Sequence, residues 1–164
     1  KTGRVVRAAL GPVRPEAIPK LEALRSSALG AGAAPAGGLR AVSYNVLADP
    51  YATTDFCRNV LYPYVAPHAL ALDYRMALAG RELLATHADL LLLQECDLKA
   101  FHKLLGPQLE RNGFQGLHKS KCGQADEGCA TFFKRSRFTL ESVHDINLKD
   151  EYEKLPELAP LLAA

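Results

Sequence analysis

No apolar run in this 164-residue sequence approaches the length needed to cross a bilayer, which is ~20 residues. An integral membrane protein is therefore not expected. Its four cysteines (Cys57, Cys96, Cys122 and Cys129) form no CxxC pair and no dense framework, which points to free thiols in a reducing compartment. His118, Cys122 and Cys129 lack a fourth partner at finger-like spacing, so the cysteines read as small, partly buried side chains and not as zinc ligands. A phosphate-cradling loop is missing too. The only glycine-rich stretch, "GAGAAPAGG" (30–38), runs into an expected strand, where a phosphate loop requires a helix. Neither His87 nor His102 has a Ser or Cys at informative spacing, which leaves nucleophilic catalysis without support.

What is present is the composition of one modest globular domain, 48% hydrophobic and 23% charged. Charge is unevenly spread. Residues 1–40 hold seven Lys/Arg against Glu16 and Glu22, whereas 141–157 hold six acids against Lys149 and Lys154. The first segment has no apolar signal-peptide core. Its Arg- and Ala-rich, acid-poor composition resembles that of a mitochondrial transit segment, with the cytoplasm as the alternative compartment. The Ala/Gly stretch has too little apolar bulk to pack and marks a boundary. The expected organisation is a basic N-terminal segment and linker over 1–38 and a main domain over 39–164.

Pattern then assigns the elements. Residues 15–29 are read as a short helix stopped by Gly30, with Pro19 against it. "RAVSYNVLA" (40–48) alternates as a strand with Val42, Tyr44 and Val46 on one face. Residues 71–88 fit a helix with Met76, Leu83 and Leu84 inward. "DLLLLQE" (89–95) is an apolar run of the kind buried on both faces of a parallel sheet. A helix over 97–112 follows, with Phe101, Leu104, Leu105 and Leu109 inward, Pro107 as a kink and Gly113 as its stop. "FQGLHKS", "CATFFK" and "RFTLESVHDINL" read as consecutive antiparallel strands, and 150–164 as an acidic, proline-broken helix. The order β, α, β, α, then several β, predicts an α/β layered domain whose first two strands are parallel.

Two apolar strands end in polar groups: Asn45 closes "AVSYN" and Glu95 closes "LLLLQE". Such strand ends are where ligands and catalytic groups lie in α/β sheets. A carboxylate at the edge of the core must be hydrogen-bonded, shift its pKa or hold a cation. Glu95 plus the amide oxygen of Asn45 is a workable start for a Mg²⁺ site, since this ion uses few carboxylates and keeps several waters. The competing reading is a Glu that caps the next helix or reaches solvent. Lys119 and Lys121 in "HKSK", with Lys134, Arg135 and Arg137 in "KRSR", form two basic clusters. They attract phosphate if the strands bring them to one rim, and are solvated loop charges otherwise.

"VSYNVLA", "LYPYVAPHALALDYR", "LLLLQECD" and "EGCATFFKRSRF" together resemble, in order and spacing, the endonuclease/exonuclease/phosphatase superfamily in its deadenylase branch. Within that branch the second segment is similar to the 2′,5′-phosphodiesterase type of the mitochondrial matrix, and the fourth also to poly(A) deadenylases. The likeness covers about residues 40–148. It implies a four-layered α/β sandwich, of which this chain supplies the first half. It implies a Mg²⁺-dependent phosphodiesterase and 3′-5′ exoribonuclease acting on poly(A) RNA or 2′,5′-oligoadenylate. On that resemblance Glu95 matches the metal-binding glutamate and Asn45 the active-site asparagine. Lys119, Lys121, Lys134 and Arg135 would guide the phosphate backbone.

The family's Asn-Thr-His-type, Gly-Asp-x-Asn and Ser-Asp-His motifs occur nowhere in the sequence. The chain alone is therefore expected to be inactive and to expose an uncovered, apolar face of its sheet. Two functional readings stay open. One is part of an active nuclease. The other is a catalytically dead half-domain that serves as a structural or RNA-binding subunit of a larger assembly.

Overall fold

The computed structural model describes residues 37–121 and 125–155. The expected helix over 15–29, most of the Ala/Gly linker and the chain beyond 155 lie outside the described residues. Strand β1 (Ala41–Asn45) leads to a short helix, α1 (Asp49–Ala52), and then through a π-type turn at Cys57–Leu61 and a 3₁₀ turn at Pro67–Leu70. Helix α2 (Leu72–Ala85) returns the chain to β2 (Leu90–Asp97). A wide turn at Ala100–Leu104 opens α3 (Leu105–Arg111), followed by β3 (Phe114–Ser120), β4 (Glu127–Lys134) and α4 (Leu148–Glu153).

The four strands form one mixed sheet in the order β1-β2-β4-β3. β1 and β2 are parallel, joined by the helical crossover, while β4 runs antiparallel to both β2 and β3. The architecture is α/β, as the alternation of elements implied. α2 buries Leu72, Met76, Ala79, Gly80 and Leu83, a stripe at helical spacing. This stripe packs with Leu105 and Leu109 of α3 over Leu91, Leu93, Phe114, Ala130 and Phe132 of the sheet. Each large side chain so buried contributes ~1.5–3 kcal/mol against exposure. Val42, Tyr44 and Val46 lie against the same core, as alternation predicted.

Gly113 adopts φ +86° just past Asn112 and ends α3, the left-handed stop that glycine takes at least cost. Pro107 is accommodated by the wide turn before it. Gly106 follows that turn because its missing Cβ leaves room for the Phe101 carbonyl.

Three expectations are corrected. β2 is not buried on both faces: Leu91 and Leu93 are buried in the core, but Leu92 is 39% exposed on the opposite face. Among the described residues, 138–142 meet the other face, where they line a cavity of about 380 Å³ with Leu90, Leu117, Thr131 and Phe133. The partly exposed Leu92 thus lies on the strand expected to be fully buried. Second, residues 137–148 form no strand. Both ladders of β4 are already occupied, by β2 and β3, and Arg137 is drawn back to Asp89 and to the Gly38 carbonyl. Third, Asp97 belongs to β2 and does not open the following helix, and β4 begins at Glu127 instead of Cys129.

Candidate active site

The polar end of β2 is set by a single extra residue. Against β4, Leu93 pairs with Ala130 but Cys96 pairs with Gly128, so β2 spends one residue more than its partner across this interval. Glu95 sits there with φ +53°. Such a bulge re-aims side chains and is common beside active sites. Strand alternation would point Glu95 into the core beside Leu91 and Leu93. The inserted residue passes that inward position to Cys96, which is fully buried and whose thiol burial pushes up to about 12. Glu95 is thereby released to the strand end. A left-handed conformation at a non-glycine residue costs on the order of 1–3 kcal/mol and persists where surrounding contacts enforce it.

Those contacts come from the chain just after β1. Val46 N–H donates to the Gln94 carbonyl at 3.0 Å, the last link between the parallel strands. Asn45 donates from Nδ2 to Glu95 Oε1 at 2.7 Å. Its own Oδ1 accepts from Leu47 N–H at 2.9 Å, and Ala48 N–H donates to Glu95 Oε2 at 3.3 Å. Leu47 is also left-handed, with φ +59°. Each carboxylate oxygen of Glu95 thus has one donor behind it.

One layer deeper, Asp49 N–H donates to Asp97 Oδ2 at 3.0 Å. Burial, with the Asp49 and Glu127 charges, holds the Asp97 carboxyl above its usual range. Glu127, directly across from Asp97, accepts from Tyr51 O–H at 3.0 Å and pairs with Lys121 at 3.2 Å. The Glu127 and Tyr51 oxygens raise the Lys121 ammonium.

The structure brings Asn45 and Glu95 together and separates the basic residues. Lys119 and Lys121 stand at the Glu95 end of the sheet, where Lys119 pairs with Asp145 at 3.0 Å. Lys134 and Arg135 stand at the other end. Lys134 lies over the Phe114 ring at 5.8 Å, and Arg135 donates to the Glu110 carbonyl at 3.0 Å. The five steps of β2 from Leu90 to Glu95 span roughly 17 Å at ~3.3 Å per residue, so a single basic rim does not form. The reason is strand direction: "HKSK" closes β3 and "KRSR" closes the antiparallel β4. His118 is likewise committed, with Nε2 at 2.9 Å from the Cys96 carbonyl.

The residues that sequence reasoning missed are the donors of the loop, Leu47 and Ala48, and the layer of Asp49, Asp97, Tyr51 and Glu127. Backbone donors leave no mark in residue identity. "NVLADP" after a strand, with Asn positioned to form a turn on its own backbone, was the available signal.

Among the described residues no group of three or more His, Cys, Asp or Glu is placed to hold a metal ion. The donor chemistry fits one corner of a hard-cation site. Glu95 is a pinned, accessible carboxylate, and Mg²⁺ takes one or two carboxylates and keeps its waters. Asn45 fits a supporting place better than a ligand's, because its N–H₂ faces Glu95 and its oxygen faces Leu47 N–H.

Residues 42–160 match the model of the Endonuclease/Exonuclease/phosphatase family. Over 118 residues the chain is 48% identical to human 2′,5′-phosphodiesterase 12, which spans 72% of this chain and 19% of that protein. It is 36% identical over 126 residues to the CCR4-Not complex 3′-5′-exoribonuclease subunit Ccr4 of Schizosaccharomyces pombe, covering 71% of this chain and 17% of that one. The chain thus spans about a fifth of the length of these relatives. Among solved structures, ANGEL2, a 2′,3′-cyclic phosphatase, superposes with a TM-score of 0.59 at 29% identity, over 65% of this chain and 30% of that one. The match over residues 42–160, which include both Asn45 and Glu95, makes this chain a member of the Endonuclease/Exonuclease/phosphatase family.

Proposed function

We propose that the chain supplies the Glu95 half of an active site for Mg²⁺-dependent phosphodiester hydrolysis, working as a 3′-5′ exoribonuclease and 2′,5′-phosphodiesterase on poly(A) RNA or 2′,5′-oligoadenylate. The observation that carries this reading is the bulged, left-handed Glu95, held on one oxygen by Asn45 and on the other by Ala48 N–H. A backbone that accepts this strain to present one carboxylate at a strand end is built around that carboxylate. The names of the relatives support the substrate class.

Within this site Glu95 would hold the cation, and Asn45 orients Glu95 while its N–H₂ edge fixes which carboxylate lone pairs face outward. When bound, Mg²⁺ supplies positive charge against the phosphoryl oxygens as they gain negative charge. Lys119 and Lys121, at the same sheet end, draw the phosphate backbone towards it. The same reading places the protein in the mitochondrial matrix, supported by the basic, acid-poor composition of residues 1–40, with the cytoplasm as the alternative.

The apolar exposure of Leu92 on the sheet favours a second reading, a half-domain that acts as a structural or RNA-binding subunit. One experiment separates the two. In the complete domain, Glu95→Gln keeps the side chain's size and one acceptor oxygen but removes the charge and one of the two accepted hydrogen bonds. Mg²⁺-dependent cleavage of oligo(A) and 2′,5′-oligoadenylate should then vanish while the circular dichroism spectrum is retained. Wild-type turnover by this variant at saturating Mg²⁺ rules the proposal out.

A further inference from the structure

The loop that pins Glu95 is itself held by one side chain from α2. Arg75 reaches out of the first turn of that helix with its side chain only 13% exposed. Its Nε donates to the Leu70 carbonyl at 2.8 Å, and one terminal nitrogen donates to the carbonyls of Val46 at 3.1 Å and Leu47 at 2.5 Å. The other meets Asp49 Oδ1 at 3.2 Å. A single guanidinium thereby grips both ends of the segment whose inward N–H groups, Leu47 and Ala48, serve Asn45 and Glu95. It holds the carbonyl of Leu47, one of the two left-handed residues at the site. Asp49, fixed by Arg75, turns its own N–H to Asp97, two residues beyond Glu95 on the same strand.

From this geometry we infer that Arg75 is a positioning residue for the cation carboxylate. It sets the 46–49 loop so that Glu95 and Asn45 are held in one arrangement before metal or substrate arrives. The inference rests on the reading of Glu95 as a cation ligand. The guanidinium bonds to the loop and not to Glu95 or Asn45, so its effect passes through the backbone. Lysine cannot replace it, because three carbonyls and a carboxylate met by three different nitrogens need the rigid fork of a guanidinium, which a point charge lacks. Outer partners that orient a metal ligand typically matter by 10–100-fold in metal affinity.

The test uses the 164-residue chain with Mn²⁺ as the probe for a hard divalent cation. Arg75→Gln and Arg75→Lys are compared with wild type and Glu95→Gln by Mn²⁺ titration and by amide exchange at Leu47 and Ala48. The expected result is folded variants with faster exchange confined to the 46–49 loop and Mn²⁺ binding weakened by about 10-fold or more, with lysine restoring little. Unchanged loop exchange overturns the inference. So does faster exchange with wild-type Mn²⁺ affinity while Glu95→Gln loses binding. If Arg75→Gln unfolds, Arg75→Lys decides on the same readouts, and loss of fold in both assigns Arg75 to structure alone and overturns it. Mn²⁺ binding unaffected by Glu95→Gln, or absent in wild type, instead removes the cation reading on which the inference rests.

Discussion

Asn45 and Glu95, fifty residues apart in sequence, meet at 2.7 Å across the parallel strands β1 and β2, with the amide donating to the carboxylate. The contact exists because β1 ends where β2 bulges. Neither strand alone would hold a carboxylate at the rim of the core.

Removing that amide should loosen the site without unfolding the chain. For Asn45→Ala the expected loss of Mn²⁺ affinity is about 10-fold, in line with partners that orient a ligand. The stability change should stay within ~1.5 kcal/mol, the usual scale of a hydrogen bond, because the pair is exposed. Calorimetric titration and urea unfolding measure the two effects separately. A fall in stability much beyond this, with metal affinity intact, would make Asn45 a structural residue.

A second carboxylate contributes to the acid limb of stability. Asp89 accepts from Arg40 N–H at 2.9 Å and pairs with Arg137, and these partners hold its pKa below the ordinary carboxylate value of 3.8. A depressed folded-state pKa stabilises the fold above the unfolded value, and the gain is lost as pH falls through the folded one. Asp89→Asn should therefore cost about 1.5–3 kcal/mol near neutrality, as for hydrogen bonds to a charged group. It should also flatten the decline below the ordinary carboxylate range. Urea midpoints from pH 7 down to pH 2 test this, and parallel curves for the two proteins would count against it.

The division of the basic residues makes a contrast experiment. In the complete domain, Lys119→Ala with Lys121→Ala should lower the salt slope of single-stranded oligonucleotide binding, by ~0.7 for each phosphate that the lysines neutralise. Lys134→Ala with Arg135→Ala, at the far end of the sheet, should leave it unchanged. Equal effects from both pairs would show that charge acts here without regard to position.

Much of the fold is written in local pattern. Alternation in "AVSYNV" put Val42, Tyr44 and Val46 on the core face, and helical spacing put Met76 and Leu83 there. Gly113 announced the end of α3. Where pattern failed, a long-range pairing decided. "LLLL" looked buried on both sides because a leucine run records apolarity and not what covers it, and Leu92 is left partly open to solvent. "RFTLESVHDINL" has strand composition, yet both ladders of β4 were already taken.

The sequence by itself determined that an apolar strand would carry Asn45 and another Glu95 to their ends, because alternation and residue type are local properties. It also determined that polar groups there needed partners. Only the tertiary structure decided that they are each other's partners. The bulge depends on the register of β2 against β4, and the donors to Glu95 include a backbone N–H, a group that every sequence possesses. Which lysines stand beside the glutamate was decided in the same way, by strand direction: β3 and β4 run opposite ways, and two similar basic runs finish at opposite ends of one sheet.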